Sequence, residues 1–115
     1  MRNLITDEQR AQLLANGAAH AQGEHLDPLP VVKLFTPDAH ATWLFTRLDP
    51  TDGDTAFGLC DVGLGMPELG TVRLSDLEGI RGPLNLPVER DLHFTPRRTL
   101  SEYVRLAQAD GSIND

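Results

Sequence analysis

The chain has 115 residues, 40% hydrophobic and 23% charged, enough for one core and too few for two. Seventeen acidic against ten basic residues give a formal charge of −7, which argues against direct binding to a nucleic-acid backbone, since that needs clustered Lys and Arg. A single cysteine, Cys60, excludes an internal disulfide or a multi-cysteine zinc site, and no apolar run approaches the roughly 20 residues of a membrane span, so the expectation is a cytoplasmic chain.

In chain order, Thr6 and Gln9 have capping-box spacing, and Asp7 and Glu8 favour a helix N-terminus. A helix is expected over residues 7–16, with Gly17 either ending it or tolerated within a continuation. Polar residues and two prolines lead to a first strand over 31–36, apolar except at Lys33. The second strand, 42–48, alternates so that Trp43, Phe45 and Arg47 share one face and Leu44, Thr46 and Leu48 the other. The acidic turn DPTDGD joins it to a third strand over 55–61. The glycine-rich segment GLGMP leads to a fourth strand over 69–74.

Ser75 and Glu78 have the spacing of a second capping box, opening a short helix that Gly82-Pro83 ends. The alternation of ERDLHFT predicts a fifth strand over 89–95, with Arg90, Leu92 and Phe94 on one face. Thr99 and Glu102 open a terminal helix that Gly111 stops. The order is α-β-β-β-β-α-β-α without βαβ alternation. The expected fold is α+β: one domain over residues 1–115, a mainly antiparallel β-meander braced by an N-terminal helix, a short mid-chain helix and a C-terminal helix. The strand over 31–36 is a candidate edge through which a homodimer could pair.

Carboxylates carry most of the candidate chemistry. Glu89, Asp91 and His93 share one face of a strand at period two, a set that could hold a divalent metal or perform acid–base work. Asp61 and Glu68, flanking the glycine-rich connection, complete the candidate catalytic set. The blander reading is a solvated face and a structural ion pair, with Arg90 turned inward onto Asp61, Glu68 or Asp76 and Trp43 in the core. The carboxylates of DPTDGD lack EF-hand spacing and read as turn residues. Gly63 and Gly65 lack the Lys-Ser/Thr of a phosphate loop and read as a tight connection with positive φ. Cys60, inside a strand, reads as an inert buried thiol.

The runs PVVKLFTPDAHATWLF, LDP, FGLCDVGLGMPELG and LPVERDLHF, and the terminal LSEYVRLAQADG, resemble the domain of unknown function DUF 2958 over nearly the whole chain. Arg47 stands where the resemblance leads one to expect glutamate, and Asn85 where it leads one to expect glycine. The resemblance implies a small bacterial protein of plasmids and integrative elements, and it brings no catalytic residues. The leading expectation is a non-enzymatic accessory that binds another protein, with no cofactor. The alternative is a small metal-dependent phosphoester hydrolase.

Overall fold

The computed structural model describes residues 3–114, so the expected domain limits at 1 and 115 lie outside the described residues. The elements are α1 (Asp7–Ala21), β1 (Val32–Phe35), β2 (Thr42–Leu48), β3 (Thr55–Asp61), β4 (Glu68–Arg73), α2 (Leu74–Glu78), β5 (Glu89–Arg90) and α3 (Leu100–Asp110). The strands form one antiparallel sheet in the order β4-β3-β2-β1-β5. The first four are the expected meander. The chain then crosses back through α2 and lays β5 against β1.

That return corrects the expected edge. β1 lies inside the sheet, between β2 and β5, and the edges are β4 and the two-residue β5. The fifth strand is also far shorter than 89–95. The Asp91 carboxylate accepts the His93 amide at 2.9 Å, turning the chain away after Arg90. As a result Leu92 is 75% exposed, while Phe94 packs on the core beneath α3.

The two faces of the sheet carry separate cores. On one, Leu13 of α1 and Leu74 and Leu77 of α2 pack with Leu34, Trp43, Phe45 and Leu48. On the other, Leu100, Tyr103 and Ala107 of α3 cover Leu44 and Leu59. Strict alternation fails in β2, because Phe45 pairs with Gly58 and Arg47 with Phe57, so Thr46 is an extra residue in a β-bulge. The bulge moves Leu48 to the face of Trp43 and Phe45. Arg47 moves to the other face, where its guanidinium carbon lies 3.8 Å from the Phe57 ring centroid.

α1 begins with the expected capping box: the Thr6 hydroxyl accepts the Gln9 amide at 3.0 Å and the Gln9 side chain accepts the Thr6 amide at 2.9 Å. It continues unbroken through Gly17 because β1 stops short of the last residues of β2, and α1 fills the gap. The Asn16 amide donates to the Thr46 carbonyl at 2.8 Å, and a Cβ on Gly17 would sit 1.8 Å from the Leu48 carbonyl oxygen.

The other two helices lack the expected self-made caps. The Thr99 and Arg73 side chains make no cap hydrogen bond. Distant aspartates serve instead. Asp54 accepts the Ser75 amide at 3.0 Å and its hydroxyl at 2.6 Å, and Asp27 accepts both the amide and the hydroxyl of Ser101.

Candidate functional site

One end of the sheet collects most of the features that could serve a function. The residue row Glu89, Phe35, Thr42 and Asp61 crosses the sheet there, all on the α3 side. The β1–β2 loop, the β3–β4 loop and the segment after α3 converge above this row. The β1–β2 loop and the segment after α3, with the ends of β1, β2 and β3, enclose a polar cleft of about 440 Å³ lined by Lys33, His40, Asp61, Asp91 and residues 112–114.

Asp61 organises the cleft. It is only 4% exposed, and both carboxylate oxygens are engaged: Oδ1 accepts the Gly63 amide at 2.9 Å and Oδ2 the Ile113 amide at 3.0 Å. It therefore ties the β3–β4 loop to the segment after α3. Lys33 faces the Asp91 carboxylate at 3.7 Å, and Asp91 adds its amide to the Lys33 carbonyl at 2.9 Å.

Of the five sequence candidates, Asp61 and Asp91 meet in this cleft. Glu68 pairs with Cys60 in the ladder, one residue out of step with Asp61, and so points to the opposite face of the sheet. Glu89 is exposed on β5, and His93 is exposed in the turn. Glu89, Asp91 and His93 do not form one strand face, because the strand ends at Arg90. Among the described residues no three His, Cys, Asp or Glu side chains come close enough to hold one metal ion. Arg90 donates to the Asn3 carbonyl at 3.4 Å rather than to a carboxylate.

Three other features take their structural readings. The Asp49 carboxylate accepts the amide and hydroxyl of Thr51, at 2.9 and 2.7 Å. Asp52 accepts the amides of Asp54 and Thr55 and the Thr55 hydroxyl, and these bonds, the hydroxyl first, pull its pKa to about 2. Cys60 packs half-buried against the α1-side core, where burial pushes its thiol up, away from the thiolate a nucleophile needs. Gly63 and Gly65 have φ of 83° and 78°, as a tight connection between strands requires.

The same end carries an apolar strip outside the residues that the sequence singles out. Val62, Leu64 and Met66 in the β3–β4 loop are 58%, 77% and 70% exposed, and Leu69 on the edge strand β4 is 47% exposed beside them. The alternation of Val62, Leu64 and Met66 with glycines was the available signal.

A family model described as "Protein of unknown function (DUF2958)" matches residues 4–114. The chain belongs to this family. No curated protein and no solved structure matches it. Membership of DUF2958 agrees with the resemblance in the sequence, and the backbone at Asn85 is one that glycine would also adopt. That residue has φ of 64°, a left-handed conformation that asparagine tolerates and glycine adopts freely. No described helix is long and apolar enough to cross a membrane.

Proposed function

We propose that the chain is a non-enzymatic, cytoplasmic protein-binding accessory of mobile genetic elements, serving defence evasion or plasmid maintenance. The apolar strip of Val62, Leu64, Met66 and Leu69 carries this reading. Three large apolar side chains held in solvent at a loop tip, beside an unpaired strand edge, are a surface that a protein partner can cover. The mobile-element setting comes from the family resemblance alone. The hydrolase reading has less support, because Asp61 already spends both oxygens on backbone amides and Asp91 faces Lys33.

The test is crosslinked affinity capture from nuclease-treated host lysate, comparing the parent with a Leu64→Asp/Met66→Asp variant. Both side chains are at least two-thirds exposed, so the variant should keep the parent's melting temperature. One stoichiometric partner held by the parent and lost by the variant is expected. Equal recovery with both, or recovery of the bait alone, would overturn the reading. Sedimentation of the pure protein identifies a second copy as the partner.

A further inference from the structure

The opposite end of the sheet holds a different kind of cleft. It lies between the last turns of α1 and the strand face that the Thr46 bulge gives to Arg47, and its volume is about 260 Å³. Gly17, Ala21, Leu48 and Phe57 supply apolar walls, and Thr71 and His20 add polar groups. Bulges commonly re-aim a side chain next to a functional site, and this one takes Arg47 off the face of Trp43 and Phe45.

Arg47 is half-buried and stacked on the Phe57 ring, and its guanidinium forms neither a hydrogen bond nor an ion pair with any described residue. Its guanidinium stays charged and presents five donors in a planar fork. Burial acts on it without a compensating anion and lowers its pKa from the ordinary arginine range. The carboxylates near it do not fill that role. Asp49, which also lines the cleft, gives its Oδ1 to the Thr51 amide and hydroxyl and makes no ion pair with Arg47, and neither does Glu24 in an adjoining smaller cleft. An arginine fork with free donors on the wall of an apolar cleft matches a ligand with one anionic group and a flat apolar body.

We propose that this cleft binds a small organic anion, its carboxylate or phosphate held by the Arg47 fork and its apolar body against Phe57, Leu48 and α1. The site is separate from the apolar strip and does not depend on the protein-binding reading.

Heteronuclear NMR titration of the intact chain tests it with four probes: benzoate, phenyl phosphate, neutral benzamide and inorganic phosphate, all at constant ionic strength. At least one aromatic anion should give saturable shifts at the Arg47 side-chain N–H, Phe57, Thr71 and Gly17. Benzamide and inorganic phosphate should bind at least about tenfold more weakly. The ranking of benzoate against phenyl phosphate tells which anionic group the fork prefers. Benzamide binding as tightly as the anions would overturn the role of Arg47, and inorganic phosphate binding as tightly as phenyl phosphate would overturn that of the apolar wall. Absence of any saturable shift would overturn the site. Arg47→Gln should weaken the anions about tenfold and leave benzamide unchanged. If that variant fails to fold, the comparison of anion and amide on the parent still decides.

Discussion

At the scale of single residues, position and surroundings override intrinsic preference. Glycine inside a helix ordinarily costs about 1 kcal/mol against alanine, so Gly17→Ala should stabilise α1 on propensity alone. Here a Cβ would meet the Leu48 carbonyl oxygen, a backbone atom, at 1.8 Å, with Pro50 close behind. The expected result is therefore the reverse: a loss of about 1–3 kcal/mol in urea unfolding, typical of overpacking. A gain would mean that α1 can move off the edge of β2. The sequence allowed Gly17 as a stop or as an interior residue, and it could not choose, because the deciding contact comes from a strand 31 positions away. Cys60 and Trp43 were easier to read, since a strand bearing Trp43, Phe45 and Leu44 must bury its aromatics. Arg47 was not readable. Its face depends on one extra residue in the ladder, and that residue, Thr46, carries no turn signal.

At the scale of elements, the meander and all three helices followed from alternation, turn residues and cap spacing. Thr99 is the N-cap of α3, as expected, but makes no cap bond, and Ser75 lies inside α2, whose N-cap is Arg73. Ser75 and Ser101 sit in the first turns of those helices as capped groups, and their caps come from Asp54 and Asp27 in other parts of the chain. Local spacing cannot reveal a cap brought in by tertiary structure. The same blindness applied to β5, where alternation in ERDLHFT suggested seven residues and the Asp91 turn leaves two. The Asp27 cap gives a pH prediction. Hydrogen bonds from Ser101, the hydroxyl first, hold the Asp27 carboxyl below its ordinary 3.8. A depressed carboxylate contributes stability that is complete above its unfolded pKa and is lost as pH falls through the folded one. Asp27→Ala should cost about 0.5–2 kcal/mol at neutral pH, as loss of a helix cap does. That difference from the parent should shrink as the pH is lowered through about 4 towards 3. Denaturant unfolding of both proteins across this range measures it, and a constant difference would show that the Asp27 charge plays no part.

At the scale of the whole molecule, the two ends of the sheet divide the labour. One end is closed by α1, the hairpin tip and α2, with Arg10 donating to the Gly53 carbonyl at 2.8 Å and Asp54 capping α2. The other is assembled from loops far apart in sequence, and there Asp61 links the β3–β4 loop to the segment after α3. This structural role is tested by removing the carboxylate. Asp61→Ala leaves the Gly63 and Ile113 amides without their acceptor, at a cost of about 1–3 kcal/mol for each that stays buried. Hydrogen exchange should rise first at those two amides, ahead of the strand interiors. The loop that carries Leu64 and Met66 would lose its anchor, so partner capture should weaken although neither side chain has changed. Asp61→Asn, whose single carbonyl oxygen replaces two carboxylate oxygens, should fall between the parent and Asp61→Ala on both measures. If exchange at Gly63 and Ile113 stayed at the parent's rate in Asp61→Ala, the tie would carry no load, and the arrangement of this end would have to come from Lys33 and Asp91 instead.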